Sequence, residues 1–116
     1  QEKAREQIKR CTTVTGNLAV LDLREEETIY ACNRFLIYAL LPETNISIHV
    51  LWGVNKLNTV FAVGKSIVNR SSKTNIGVLM LEYGGGGHEN AGTCQVDNED
   101  ATMVLTELSG RINADG

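Results

Sequence analysis

The sequence is poor in several features that would define a protein class at once. It has one proline and three cysteines among its 116 residues. The cysteines (Cys11, Cys32 and Cys94) are widely spaced and form no Cys-x-x-Cys pair, which argues against a disulfide framework or a zinc site. No apolar run is long enough to span a bilayer, and no basic-then-apolar leader opens the chain. We therefore expect a cytoplasmic protein with no membrane partner, and the first residue, Gln rather than Met, indicates a piece of a longer protein.

Acidic residues are absent from the middle of the chain, although the protein as a whole is acidic. The net charge is −3, yet residues 44–81 contain no Asp or Glu and carry Lys56, Lys65, Arg70 and Lys73. A basic stretch inside an acidic chain can concentrate positive potential on an anionic ligand. Four cations spaced by chance along a solvated face would give the same pattern.

What is present is the composition of a folded domain of ordinary size. The chain is 42% hydrophobic and 22% charged, and its length suits one domain with a packed core. Coarse periodicity predicts the order α-β-α-β-β-α-β-α. The fold class is therefore α/β (α+β), a single domain with a mixed sheet of about four to five strands flanked by helices. We expect residues 1–16 to form a connecting helix and linker, and residues 17–116 to form the domain.

Local patterns place the main elements. Two β-rich runs, Ile46–Gly53 and Thr59–Ser66, predict an antiparallel pair of strands. Pro42 ends a helix that is predicted to begin at three consecutive glutamates. Asn75 is a capping residue for a helix over Ile76–Tyr83. A last helix has an apolar side made of Ala101, Val104, Leu105, Leu108 and Ile112.

The most unusual segment is a run of four glycines, Gly84, Gly85, Gly86 and Gly87, followed by His88. Consecutive glycines cost conformational entropy, but they permit positive φ angles and a close approach of the backbone to a ligand. Successive amides can form a concave anion site, to which an imidazole would add a donor. The run lacks the Gly-Lys-Ser/Thr ending of a P-loop. A helix stop followed by a flexible connection is the structural alternative.

Two further segments carry groups suited to a phosphate. Arg70 offers a planar guanidinium and Ser71 a hydroxyl, and an ordinary polar loop is the alternative for this pair. Lys65 and Ser66 belong to a Gly-Lys-Ser triplet, but no glycine stands five residues before it, as a P-loop requires. They are therefore auxiliary candidates only.

The run Gly84–Ala91, with Arg70-Ser71 upstream and a helix between them, resembles the C-terminal DHH-associated domain of DHH-family phosphoesterases. That family includes RecJ-type exonucleases, oligoribonucleases, cyclic-dinucleotide phosphodiesterases and exopolyphosphatase-like proteins. The resemblance covers residues 18–112, and its specific part is residues 70–94. It implies that Gly84–His88, Arg70 and Ser71 hold the phosphate or terminal nucleotide of a substrate, with Asn90 assisting. Many relatives have Ser two residues before that Arg, where this chain has Val68.

The resemblance also implies that catalysis belongs to another domain. In the family, an N-terminal DHH domain binds two Mn²⁺ or Mg²⁺ through Asp and His clusters, and such centres need several ligands around shared ions. This chain has two histidines, and its aspartates form no recognisable ligand set. We therefore expect no catalytic residue, metal or cofactor in this chain, and no hydrolysis by it alone.

Two functions follow from these observations. The first is a substrate-binding domain of a hydrolase, which holds a short single-stranded oligonucleotide or a dinucleotide while the parent's DHH domain cleaves it. The alternative is a free-standing module that senses a nucleotide without catalysis. Nano-RNA, a cyclic dinucleotide, bisphosphorylated adenosine and polyphosphate all stay open as substrates. An unpaired strand edge would allow a homodimer.

Overall fold

The computed structural model describes residues 2–26, 34–66 and 71–116, which contain six strands and four α-helices. The strands are β1 (Thr12–Thr15), β2 (Leu18–Asp22), β3 (Ile46–Trp52), β4 (Asn58–Lys65), β5 (Gly86–His88) and β6 (Ala91–Asp97). The helices are α1 (Glu2–Cys11), α2 (Arg34–Leu40), α3 (Ile76–Leu81) and α4 (Ala101–Asp115). The predicted start of the helix that ends before Pro42 reaches into residues 27–33, outside the described ranges. No helix in the described part is long and apolar enough to cross a membrane.

The strands form one mixed sheet in the order β1-β2-β3-β4-β6-β5. Strands β2 and β3 are parallel, and the other neighbouring pairs are antiparallel. The predicted antiparallel pair is confirmed as β3 and β4, in which Ile46 lies opposite Lys65. The α/β class is therefore confirmed, but the described sheet has six strands rather than the predicted four to five.

The two strands that the sequence did not predict lie at the edges of the sheet. β1 is Thr-Thr-Val-Thr, which lacks the alternation of apolar and polar residues that identifies a strand. Gly16, with a φ of +60°, turns the chain so that β1 pairs with β2. Residues 12–15, expected in a linker, therefore belong to the sheet, while the domain boundary at residue 16 stays a prediction. β5 is Gly-Gly-His, and glycine is depleted in strands.

Helices cover both faces of the sheet and create two apolar clusters. One cluster lies between the sheet and helices α3 and α4, and it contains Leu18, Ile46, Ile48, Val50, Phe61, Val63, Ile76, Leu79, Met80, Cys94, Ala101, Val104, Leu108 and Ile112. The other lies beneath α1 and α2, and it contains Ile8, Ala19, Leu21, Leu23, Ile37 and Tyr38. The predicted apolar side of the last helix is confirmed, because its residues belong to or pack against the first cluster.

Helix α3 begins where the sequence predicts it. The Asn75 side chain accepts a hydrogen bond from the Val78 amide at 3.2 Å, which caps the helix. Ile76, Leu79 and Met80 are buried on its inner side. This buried side fixes α3 against the sheet directly above β5 and β6.

Tyr38 joins α2 to the sheet through a buried hydroxyl group. The hydroxyl donates to the Gly64 carbonyl oxygen at 2.9 Å and lies 3.1 Å from the Ser47 hydroxyl. The Tyr38→Phe variant leaves these buried partners without that bond, so we expect the free energy of unfolding to fall by about 1–3 kcal/mol. Urea unfolding measures this loss. Tyr83→Phe is the control because the Tyr83 hydroxyl bonds Glu107 at an exposed position, and an equal loss in both variants would contradict the argument.

Candidate ligand-binding site

Strands β3 and β6 begin, and strands β4 and β5 end, at the same end of the sheet. The register pairs Ile46, the first residue of β3, with Lys65, the last residue of β4. At the same end, Ala91 of β6 lies between Gly64 of β4 and His88 of β5. We call this region, from the start of β3 to the end of β5, the strand-end edge.

Five of the residues predicted from the sequence lie at the strand-end edge: Lys65, Ser66, Ser71, His88 and Asn90. The Lys65 amide donates to the Asn90 carbonyl oxygen at 3.0 Å. The Ser71 hydroxyl accepts a hydrogen bond from the Asn45 side-chain amide at 2.9 Å. Ser71, His88 and Asn90 are exposed, whereas Ser66 is buried, with 4% of its surface exposed. Arg70, the predicted partner of Ser71, lies outside the described residues.

The sequence predicts that the four glycines belong to one continuous loop, but the structure divides them between a helix stop and a strand. Gly84 has a φ of +81°, and its amide donates to the Leu81 carbonyl oxygen at 3.1 Å. The Gly85 amide donates to the Met80 carbonyl oxygen at 2.9 Å. These two bonds are those of a Schellman helix stop. The chain then enters β5, so the first half of the run ends α3 and the second half pairs with β6.

The reason for a glycine differs along the run. A β-carbon at Gly85 would lie 2.1 Å from the Thr93 carbonyl oxygen, and one at Gly87 would lie 2.4 Å from the Ala91 carbonyl oxygen. Gly87 also has a φ of +149°. A β-carbon at Gly86 would meet nothing within 4 Å, and Gly86 does not have a positive φ. Packing and backbone conformation therefore require glycine at positions 84, 85 and 87, but not at position 86.

Gly86 and His88 lie on the side of the sheet that faces away from α3 and α4. Directly paired residues of neighbouring strands share a face, and successive residues alternate. Gly86 lies opposite Thr93, which lies opposite Ala62. Phe61 and Val63, the neighbours of Ala62 in β4, belong to the α3/α4 cluster, so Ala62 faces the other way. We call this side of β4, β6 and β5 the open face, because Gly86, His88 and Thr93 are exposed on it.

His49 lies on the same face of the sheet, in β3, which is separated from β5 by the two strands β4 and β6. It pairs with Ala62, which continues the row to Thr93 and Gly86. Its sequence context, a polar position in a predicted strand, gives no functional indication. The pairing of the strands places His49 and His88 on one face of the sheet, although the two residues are far apart in the chain. Their positions in the sequence alone do not show this. His49 is half-buried.

The basic stretch of residues 44–81 is divided between the two ends of the sheet. Lys65 lies at the strand-end edge, and the Lys73 amide donates to the Gly116 carbonyl oxygen at the end of α4. Lys56 lies in the turn between β3 and β4, where its Nζ is 5.9 Å from the centre of the Trp52 ring. Lys56 is therefore far from the predicted phosphate contacts.

Among the described residues, no side-chain cluster suits a metal ion, and the buried Cys94 does not suit a nucleophile. No cluster of three or more His, Cys, Asp or Glu side chains that could hold a metal occurs among them. Cys94 is buried in the α3/α4 cluster, and burial raises the pKa of its thiol to about 11. A thiol with that pKa is protonated at neutral pH and is a poor nucleophile. What the described part of the site offers is hydrogen-bond donors and an exposed sheet face.

Comparison with known proteins identifies similar structures. No protein-family model matches the chain, and no curated protein sequence matches it. The chain is 63% identical to PggH from Vibrio cholerae, a solved structure described as a pGpG-specific phosphodiesterase, with a TM-score of 0.97. This match covers 99% of the chain and 39% of PggH.

A second solved structure has the same fold at a much lower identity. It is an exopolyphosphatase-related protein from Bacteroides fragilis, which is 16% identical with a TM-score of 0.70. The match covers 97% of the chain and 35% of that protein. The chain therefore spans less than half the length of both structures. The similarity to PggH relates it to a nucleotide-processing phosphodiesterase.

Proposed function

We propose that this chain is the DHH-associated, substrate-binding domain of a metal-dependent phosphoesterase that cleaves a dinucleotide. The similarity to PggH over nearly the whole chain carries this proposal. The glycine-His segment and Arg70-Ser71 support it independently, because they match the phosphate-holding segments of the DHH family. The dinucleotide pGpG is the substrate that we propose, since it is the one named for PggH.

The geometry of the site suits a phosphate group at the end of a nucleotide. Ser71 and His88 are exposed at the strand-end edge, and each can donate a hydrogen bond to a phosphate oxygen. Gly86 has no side chain on the open face, so a ligand can approach the backbone of β5 there. Lys65 lies at the same end of the sheet, but its position in β4 puts its side chain on the α3/α4 side, so it is not among the proposed phosphate contacts. We infer that the phosphate binds at the strand-end edge, where Ser71 and His88 are exposed donors, and that the rest of the dinucleotide extends over the open face.

In this proposal, hydrolysis is carried out by another domain of the parent protein. The described residues do not fit a metal ion, and PggH is more than twice as long as the chain. We assign the metal ions, Mn²⁺ or Mg²⁺, to an N-terminal DHH domain, where a two-metal centre supplies activated water. The present domain contributes binding and orientation, which place the phosphodiester bond for attack.

Titration of the ¹⁵N-labelled chain with pGpG tests the proposal. We expect saturable shifts of the amide resonances of Ser71 and Gly84–Asn90, because these residues surround the proposed phosphate. GpG without the 5′-phosphate should bind more weakly, and inorganic phosphate should shift a subset of the same amides. Amides around Trp52 and Lys56, at the opposite end of the sheet, serve as the internal control. If pGpG at millimolar concentration leaves the Gly84–Asn90 amides unchanged, or shifts all regions equally, the proposed binding site is wrong.

A further inference from the structure

A chain of side-chain amides lies beneath the strand-end edge. Asn45 lies just before β3, and its Nδ2 donates to the Ser71 hydroxyl at 2.9 Å. Its Oδ1 accepts from Asn17 Nδ2 at 2.8 Å. Its backbone carbonyl accepts from the Ser66 amide at 2.9 Å, and its backbone amide donates to the Asn17 carbonyl at 3.0 Å. Asn45 therefore bonds both Ser66 and Ser71.

The far end of this chain of hydrogen bonds is anchored in helix α4. The Asn17 amide donates to Asn113 Oδ1 at 3.2 Å, and Asn113 Nδ2 donates to the Ser109 carbonyl oxygen at 2.9 Å. A backbone carbonyl can only accept, which fixes the orientation of the Asn113 side chain. The position of Asn45 is thus determined by the turn between β1 and β2 and, through that turn, by α4.

Asn45 and Ser71 differ in their exposure to solvent, and therefore in whether they can contact a ligand. Asn45 has only 5% of its surface exposed, so it cannot contact a ligand itself. Ser71 is exposed at the strand-end edge. The bond from Asn45 uses a lone pair of the Ser71 hydroxyl oxygen and not its hydrogen, so it is compatible with donation by that hydroxyl to a ligand. A donor at this position is what a phosphate oxygen requires.

We propose that Asn45 is a positioning residue for the phosphate site, acting through the Ser71 hydroxyl. This inference rests on the proposed function, because it takes Ser71 as a phosphate contact. Asn45 fixes the rotamer and the donor direction of Ser71, and its backbone carbonyl oxygen accepts from the Ser66 amide. A preorganised donor loses less freedom on binding than a mobile one, so removing Asn45 weakens binding without removing any group that touches the ligand.

A double-mutant cycle measures the coupling between Asn45 and Ser71 in pGpG binding. We compare pGpG affinity in the wild type, Asn45→Ala, Ser71→Ala and the double variant, and we record the melting temperature of each. We expect Asn45→Ala and Ser71→Ala each to lower the affinity by about 5- to 10-fold, the effect of one lost hydrogen bond. The double variant should bind no more weakly than Ser71→Ala, because Asn45 acts through the hydroxyl already removed.

Two further measurements distinguish positioning from stability. Asn113→Ala removes the bond between Asn113 and the Asn17 amide but leaves the Asn45–Ser71 bond in place, so it should lower the melting temperature and reduce the affinity for pGpG less than Asn45→Ala does. The side-chain NH₂ resonances of Asn45 should shift when pGpG saturates the wild type, but not when it is added to Ser71→Ala. If Asn45→Ala does not fold, Asn45→Asp replaces it, since the aspartate keeps the shape and the acceptor for Asn17 but loses the donor to Ser71.

The outcomes separate this inference from the proposed function. Additive losses in the double variant, or an affinity loss in Asn113→Ala equal to that in Asn45→Ala, would overturn the positioning role. An effect of His88→Ala with none of Ser71→Ala would overturn it as well, while the proposed function would stand. Absence of pGpG binding by the wild type would overturn both.

Discussion

The Gly87→Ala variant is expected to lose about 2–4 kcal/mol of unfolding free energy, as large clashes at strained positions do. A β-carbon there would lie 2.4 Å from both the Ala91 carbonyl oxygen and the Gly92 Cα, and the φ of +149° is one that only glycine adopts readily. Backbone atoms cannot move aside as a flexible side chain can, so β5 must separate from β6. Urea unfolding of the variant measures the loss.

Gly86→Ala is the matched control for that prediction. Its β-carbon meets nothing within 4 Å, and we expect a change of less than about 0.5 kcal/mol in unfolding free energy. Its methyl group stands on the open face, so affinity for pGpG should fall although the fold is intact. A large loss of stability in Gly86→Ala, or none in Gly87→Ala, would contradict the assignment of these two residues to opposite faces.

His88→Ala is expected to weaken pGpG binding by about 10- to 100-fold, which corresponds to about 1–3 kcal/mol for a hydrogen bond to a charged group. The imidazole is exposed at the end of β5, so its removal leaves the core unchanged and the melting temperature nearly constant. Isothermal titration calorimetry with pGpG gives the affinity of wild type and variant.

Two variants control the His88 measurement. His88→Gln keeps a hydrogen-bond donor near the same place, so it should retain more affinity than His88→Ala. Lys56→Ala lies beside Trp52 at the opposite end of the sheet and should bind like the wild type. Equal affinity of wild type and His88→Ala would remove His88 from the site, whereas equal losses in His88→Ala and Lys56→Ala would indicate a general charge effect.

Most of the fold could be predicted from the sequence because its elements are strongly patterned. The strands β3 and β4 are rich in β-branched residues, and α4 has a regular apolar side. The edge strands β1 and β5 could not be predicted, because three threonines or two glycines carry no apolar alternation. Their pairing depends on turns and on neighbouring backbone, such as the Gly16 turn that returns the chain to β2.

The candidate site could be predicted by residue type but not by arrangement. The sequence singled out the glycines and His88, yet it treated Gly84–His88 as one loop. Which glycine faces α3 and which faces solvent depends on the pairing of β5 with β6, and no pattern in the amino-acid sequence shows that register. Asn45 was missed for a similar reason, since it becomes relevant only through its bond to Ser71, 26 positions away.

The alternation along β5 also determines how this domain could be re-engineered. A randomised library at positions 86 and 88 would sample new side chains on the open face, and most of its members should express as folded protein. The same library at positions 85 and 87 would mostly yield insoluble protein. Under the proposed function, nucleotide recognition depends on positions 86 and 88, whereas folding depends on positions 85 and 87, so selection for a new nucleotide can proceed at the first pair without eroding the second.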